Sequence, residues 1–479
     1  MRPGWIVLLL LGVGCGEVGS HPDDATTGPT DGGPDPNEGA TSGTRLKLKW
    51  IDFAGTRSPD GLFDAQRNER CYLTSWADGK IYCVPSGTAS VVYSNSGCTA
   101  KVGLVYRQPT CTSVTPPTYL LEYSAQACQN APSHLYQRGA KVAVSQYWQM
   151  NTDGSCGGPY TTGSYDVYAL GAEVPVSDLA PAAIGSPIGT SRLAQRYYES
   201  ADGLKTPYRV HDALLGIDCY ATSSGGGSTS GRCIPEDAAY IGNFHDAACT
   251  QMSASNEAVC PAPKFAVKYS ACPYDTPAYY AVAAQQTVPP LYSQIGTSCV
   301  STTPSTTTKY YGTGQLLQLA MPARAPDQTG KRIEKIHLTT PDGLAARDYA
   351  LYDTQKMTEC YPTKSSDGSV HCVPSGNGTQ TLYTDANCTN AVQIMAVYRG
   401  AASCSPPPLP SYSLSYKLTA SCDYDVESRA VGALHAAAVY EKYSDNTCHA
   451  FPSASYVLYD VGAPIAADQF ATGTPITDP

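Results

Sequence analysis

Short runs in which apolar and polar residues alternate set the character of this chain. Between residues 45 and 171 they read RLKLKWIDF, RCYLTS, KIYCVP, SVVYS, KVGLVYR, TYLLEYS, KVAVSQYW and SYDVYALG. Successive side chains point to opposite faces of a strand, so a two-residue period over five to eight positions marks a strand with one packed face. Asp-Gly, Ser-Gly, Gln-Pro and Pro-Pro pairs punctuate the runs, as turns require. No run of ten or more residues shows the 3.6-residue period of an amphipathic helix. The pattern predicts an all-β protein.

The runs come round three times, and the cysteines keep step. Eighteen of the 19 cysteines fall into three sets of six with nearly constant spacing. These are Cys71, Cys83, Cys98, Cys111, Cys128 and Cys156, then Cys219, Cys233, Cys249, Cys260, Cys272 and Cys299, then Cys360, Cys372, Cys388, Cys404, Cys422 and Cys448. Their surroundings repeat as well. An Asp stands seven places before each first cysteine (Asp64, Asp212, Asp353) and a Tyr follows it (Tyr72, Tyr220, Tyr361). The second cysteine opens Cys-Val/Ile-Pro. The third lies five places after an aromatic (Tyr93, Phe244, Tyr383) and precedes a Thr (Thr99, Thr250, Thr389). After the sixth cysteine a Tyr recurs (Tyr168, Tyr311, Tyr459). This is an internal repeat of roughly 140 to 148 residues.

The first two cysteines of a unit flank a turn with equal arms, as in CYLTSWADGKIYC and CYPTKSSDGSVHC, and Gly225, Gly226 and Gly227 occupy the same place in the second unit. Equal arms bring the two sulfurs opposite each other across a hairpin, which suits a bridge. Sequential pairing inside each unit is expected: first with second, third with fourth, fifth with sixth. Each such short loop would contribute roughly 3 kcal/mol in the chain-entropy account. Eight or nine strands per unit split into two four-stranded sheets, so the three units are expected to close as a six-bladed β-propeller, which disposes of free edges by radial repetition. The alternative is three separate β-sandwich or barrel domains.

Before the repeats, Trp5 to Val13 form an apolar stretch too short to span a bilayer, followed by Leu11-Gly12-Val13-Gly14-Cys15. It resembles a bacterial lipoprotein signal, in which small residues precede the cysteine that carries the lipid, although Gly12 stands where that signal usually has Leu. Cys15 is the nineteenth cysteine and the expected lipid attachment. Residues 16–44 are Gly, Pro, Asp and Thr with little to bury and read as a flexible tether. The expected division is a signal at 1–15, tether at 16–44, repeats at 45–187, 188–327 and 328–473, and a tail at 474–479.

Composition narrows the function. Widely spaced cysteines without any Cys-x-x-Cys pair indicate disulfides formed in an oxidising compartment rather than metal sites. The 35 Tyr against 6 Phe suit half-buried strand positions with a ring packed and a hydroxyl kept wet. A net charge of −10 argues against nucleic acid as a partner. No nucleophile elbow, zinc helix motif or phosphate loop is present. His134, His211, His245, His337, His371, His435 and His449 hold no common place in the units and read as surface or packing residues. Asp64, Asp212 and Asp353 are the carboxylates in register. One Ca²⁺ ligand per unit is weighed against a structural Asp bonding backbone amides, and the absence of a second acid in register favours structure. Asp423, Asp425 and Glu427 resemble a cation loop for four residues only. The recurrent Tyr read as packing before they read as a sugar-stacking or peptide-binding surface, and the sequons at Asn377 and Asn387 carry no weight in a bacterial context.

Taken together, the Gly-rich lipobox, Asp-x6-Cys-Tyr, Cys-Val/Ile-Pro, aromatic-x4-Cys-Thr and the ending Tyr168 to Pro175 resemble a group of uncharacterised cysteine-rich repeat lipoproteins abundant in myxobacteria. The resemblance implies an outer-membrane or cell-surface location and no particular activity. The second unit departs from it, with Glu257-Ala258-Val259 in place of Val105-Tyr106-Arg107 and Val397-Tyr398-Arg399, so a surface shared by all three units is not expected there. The expected role is non-enzymatic: binding an extracellular glycan or protein, or a structural part of the envelope, without cofactor or metal, and touching the membrane only through the lipid. The rivals are a secreted polysaccharide-active hydrolase and a passive envelope spacer.

Overall fold

The computed structural model describes residues 39–479, except 108–114, 125–130, 152–153, 190, 223–231, 236–237, 259, 271, 273–276, 288–289, 296–297, 366, 402, 406–407, 421–422 and 444. Cys15, the tether through residue 38, Cys111, Cys128, Cys422 and the turn at Gly225 to Gly227 lie outside the described residues.

The expectation of an all-β fold holds. Among the described residues the only helical turns are three of 3-10 type at Val176–Asp178, Ser453–Ser455 and Ala467–Gln469. Repeat 1 has twelve strands: β1 (Leu46–Phe53), β2 (Thr56–Asp64), β3 (Glu69–Ser75), β4 (Ile81–Pro85), β5 (Ala89–Tyr93), β6 (Lys101–Tyr106), β7 (Tyr119–Tyr123), β8 (Pro132–Val142), β9 (Gln146–Met150), β10 (Cys156–Thr161), β11 (Tyr165–Val174) and β12 (Pro181–Ile184). The first four form an antiparallel meander. Five later strands run β5-β6-β11-β8-β7, and β7 returns to β5 by a parallel pairing that closes a five-stranded barrel. The hairpin β9–β10 attaches to the barrel through Tyr93 and Trp148. Repeats 2 and 3 copy this order, with the closing parallel pairs Ala238–Phe244 with Phe265–Lys268 and Asn377–Tyr383 with Tyr412–Leu418.

These barrels correspond to the alternative expectation, not to propeller blades. The parallel pair consumes the edge that a blade leaves open, so each unit manages its own edges. The units are nevertheless joined, because the three meanders share one 15-stranded sheet. Strand β12 pairs with β4 and also with Leu193–Glu199 of repeat 2. At the other end Thr472–Thr477 pairs with β1 and with Val370–Pro374 of repeat 3, so residues 474–479 are not a tail. The carbonyls of Ala180, Ala320 and Ala471 accept from the amides of Cys83, Cys233 and Cys372 at 2.9, 3.0 and 2.9 Å. The Cys233–Ala320 bond links the two ends of the sheet and brings the three meanders round into a ring.

Hydrophobic packing follows the same cycle. Leu204, at the hairpin of repeat 2, enters the core of meander 1 beside Leu46, Leu48, Trp50 and Leu62. Leu344 of repeat 3 enters the core of meander 2, and Ile51 and Phe53 of repeat 1 enter that of meander 3. Each fully buried Leu or Ile contributes about 1.5–3 kcal/mol, so these exchanged side chains weld neighbours together. Polar contacts agree: Asp202 accepts the amides of Arg45 and Leu46 at 2.8 Å, and Asp342 accepts that of Arg192 at 2.8 Å. Residues 40–44, read as the end of the tether, are drawn in as well. Ala40 is buried and Thr41 bridges to Lys205.

The disulfides correct the expected pairing. First and second cysteines do pair (Cys71–Cys83, Cys219–Cys233, Cys360–Cys372). The third pairs with the sixth, not the fourth (Cys98–Cys156, Cys249–Cys299, Cys388–Cys448). Cys272 bonds Cys404 of the next repeat. Loop length misled the expectation: the attached hairpin folds back on the barrel and brings the distant sixth cysteine beside the third. The third cysteine stands at the turn after the first barrel strand with a left-handed backbone, φ 48°, 53° and 52° at Cys98, Cys249 and Cys388. Side chains of Asn95, Asp246 and Asp385 hold that turn by accepting the amide of the following Thr99, Thr250 or Thr389. The aromatic-x4-Cys-Thr motif is this turn.

Candidate functional site

The three Asp in register are framework. Asp64, Asp212 and Asp353 are fully buried at the ends of the second meander strands. Each accepts the next two free amides of its turn, from Gln66 and Arg67, Leu214 and Leu215, and Gln355 and Lys356. Each also meets an arginine at the start of its meander. Arg45 and Arg192 grip their Asp through two nitrogens, at 3.0 and 2.7 Å and at 3.0 and 2.8 Å, whereas Arg332 reaches Asp353 once, at 3.3 Å. The same guanidinium then donates to a carbonyl near the end of the repeat, that of Asp178, Gln318 or Gln469. This clamp ties the first and last strands of a repeat. The arginines were legible in the sequence as a basic residue 19 to 21 places before the Asp, a signal the carboxylate-centred reading missed. No group of three metal-ligating side chains occurs among the described residues.

The other residues singled out from sequence stay apart. Asp423 pairs with Lys364 at 3.3 Å, while Asp425 and Glu427 lie along the strand Tyr424–Leu434, which gives no cation loop. His134, His211, His337, His371 and His435 each face a different carboxylate. Tyr72, Tyr220 and Tyr361 point away from the buried cysteines beside them and stay partly exposed. Tyr72 bonds Tyr123 of the barrel in the same repeat, and burial first, with that contact, pushes its hydroxyl up to about 12.

What the structure does bring together is a tyrosine and arginine cluster at the junction of repeats 2 and 3. Across each meander, two or more residues of the second strand oppose one of the first: Asp60 and Gly61 opposite Lys49, Tyr208 and Arg209 opposite Arg196, and Asp348 to Ala350 opposite Ile336. A bulge of this kind bends the strand and re-aims its side chains. In repeat 2 it places Tyr208 and Arg209 together. The Tyr198 and Tyr208 rings lie 4.7 Å apart, and the Arg209 guanidinium sits 5.0 Å from the Tyr208 ring and 3.8 Å from that of Tyr220, donating to the Tyr220 hydroxyl. Beside it Arg196 pairs with Asp218 at 2.7 Å, and His211 shares that carboxylate. The bulge of repeat 3 adds Tyr349, whose hydroxyl is raised by burial and feels the charge of Arg209 and Tyr220.

Tyr349 is 67% exposed, and the surrounding protein still raises its pKa through desolvation. Tyr198 is pushed up to about 12, by burial first and by Tyr208 next. Tyr198, Tyr208 and Tyr349, all raised by burial, therefore stay neutral hydroxyls at any physiological pH, able to donate as well as accept. Two small cavities lie elsewhere. One of about 280 Å³ is lined by Arg67, Tyr119, Gln137, Glu173 and Asp178, and one of about 170 Å³ by Ser365, Glu427, Ser428 and Phe470.

Fold and cluster thus define a class: an all-β protein of three disulfide-bonded repeats, matured in an oxidising environment. The chain belongs to a family of unknown function, DUF7481, whose model matches residues 26–470. No curated protein and no solved structure matches it. Among the described residues no helix is long and apolar enough to cross a membrane.

Proposed function

We propose that this is a non-enzymatic glycan-binding protein of the cell envelope, exported and held at the outer membrane by a lipid on Cys15. The observation that carries the reading is the junction cluster. The Tyr220 and Tyr349 side chains stay exposed, with the Arg209 guanidinium over one face of the Tyr220 ring, and Arg196 and the tyrosine hydroxyls set hydrogen-bonding groups around them. A pyranose offers the matching surface, a flat C–H face rimmed with hydroxyls. Rigid Tyr rings give such a ligand a large contact at little entropic cost. The net charge of −10 favours a neutral sugar over an acidic one. The resemblance to envelope lipoproteins and the Gly/Pro/Asp-rich segment before the repeats support the location.

The test is a glycan array with the full exported chain, alongside the Tyr220→Ala/Tyr349→Ala variant. We expect at least one neutral glycan to bind and the variant to lose tenfold or more in affinity, about 1.4 kcal/mol. Absence of any glycan ligand, or an unchanged variant, overturns the reading. Release of reducing ends abolished by Glu173→Gln would favour the hydrolase instead. Labelling with radioactive palmitate, lost in Cys15→Ser, tests the anchor.

A further inference from the structure

Two of the three barrels carry a second aromatic surface that the junction cluster does not use. In repeat 1, Tyr106 ends β6 and stands directly across from Tyr165 on β11, with ring centroids 5.4 Å apart and planes at 63°. In repeat 3, Tyr398 and Tyr456 occupy the same positions at 5.2 Å and 63°. A third ring backs the inner tyrosine in each case: Tyr147 lies 6.0 Å from Tyr165, and Phe451 lies 5.0 Å from Tyr456. The inner tyrosine therefore caps the barrel core, among Val92, Leu104 and Val167 in repeat 1 and Leu382, Ile394 and Leu458 in repeat 3. The outer tyrosine rests on that cap with half its surface in water, 54% for Tyr106 and 49% for Tyr398. An arginine follows each outer tyrosine. Arg107 meets Asp166 at 3.5 Å, and Arg399 donates to the carbonyl of Ala454 at 3.2 Å.

Repeat 2 lacks the device. The register puts Glu257 opposite Thr308 at this place, one residue earlier than the sequence comparison placed the substitution. The barrel closes there equally well, so the tyrosine pair is not needed to close it. An exposed aromatic pair that the fold does not require, identical in geometry at two barrels and flanked by Arg, is a surface for a ligand.

We propose that the rims of barrels 1 and 3 are two equivalent binding sites for a neutral oligosaccharide, and that the protein holds a polysaccharide bivalently through them. An extended peptide is the poorer fit. Strand β6 is paired on both sides, by β5 and β11, and has no free edge for a peptide strand to join. An edge-to-face pair of rings whose outer member is half exposed suits a sugar ring. Two such sites on one chain raise the apparent affinity for a long polymer well above that of either alone.

The sites are counted in the full chain carrying Tyr220→Ala and Tyr349→Ala, so that the junction cluster is silent. The probes are neutral hexasaccharides of glucose, xylose and mannose by isothermal titration, and the parent polysaccharides by affinity electrophoresis. We expect two sites for one of the hexasaccharides, one site after Tyr106→Ala or Tyr398→Ala, and none after both. Retention on the polymer should fall tenfold or more on losing the first site. Glu257→Tyr with Thr308→Tyr should raise the count to three, a gain that misfolding cannot mimic. No saccharide bound by this chain while the wild type binds overturns the rim sites and leaves the junction cluster standing. A count unmoved by the rim substitutions, or binding of a proline-rich peptide in place of sugars, also overturns them. Two rim sites in a chain whose affinity does not suffer from the Tyr220→Ala and Tyr349→Ala changes would overturn the junction cluster and leave the rims standing.

Discussion

Barrel 2 and barrels 1 and 3 share a strand order, a parallel closing pair and a bridge from third to sixth cysteine, and they differ in what they show to water. Where barrels 1 and 3 end in edge-to-face tyrosine pairs, barrel 2 ends in Glu257 and Thr308. At the residue following the last position of the first barrel strand, Ser94 and Thr384 have their counterpart in His245. Conversely, meander 2 carries Tyr208 and Arg209 where meander 1 has Asp60 and Gly61. The difference separates two kinds of position. The first-to-second and third-to-sixth bridges, the Asp–Arg clamp and the Asx turn recur in all three units and hold their frame. Rims and bulges vary, and there the surface acquires its chemistry.

The largest effects should come from the shared positions. Replacing Asp64 or Asp212 by Ala leaves a guanidinium without its buried partner and two turn amides unsatisfied. A loss of about 3–5 kcal/mol is expected for each, read from the shift of the urea midpoint. Asp353→Ala should cost less, because Arg332 holds it by one 3.3 Å contact. Losses under about 1 kcal/mol in all three would deny the clamp its role.

A smaller effect should single out barrel 2. Burial lowers the pKa of His245 below its ordinary 6.5. A depressed pKa means the folded state favours the neutral ring, so the unfolded chain takes up the proton first. The stability this supplies is complete above pH 6.5 and is lost as the pH falls through the folded value. Hydrogen exchange should therefore show barrel 2 loosening between about pH 7 and pH 5 while barrels 1 and 3 do not. His245→Ser should remove the difference, and an equal response in all three barrels would dismiss His245 as its source.

Much of this fold was legible from particular residues. Alternation in RLKLKWIDF placed β1, and the symmetric arms of CYLTSWADGKIYC placed both the hairpin and its bridge. The recurrence of Asp-x6-Cys marked the repeat. What stayed hidden depends on distant pairing. The β5–β7 closure joins strands of ordinary appearance, and a parallel contact leaves no local trace. The bridge to the sixth cysteine spans 58 residues in repeat 1, too far for spacing to suggest. The junction cluster was invisible for a further reason. A bulge changes which face a side chain takes, so strict alternation misassigns Tyr208 or Arg209, and Tyr349 arrives from another repeat.

The claim beneath all of this is that three repeats form one ring and are not beads on a string. Peptide mapping by mass spectrometry under non-reducing conditions tests it most directly. The ring predicts a cross-linked peptide joining Cys272 to Cys404, with Cys260 bonded outside its own repeat. A Cys260–Cys272 bridge, with every disulfide confined to its own unit, would contradict it.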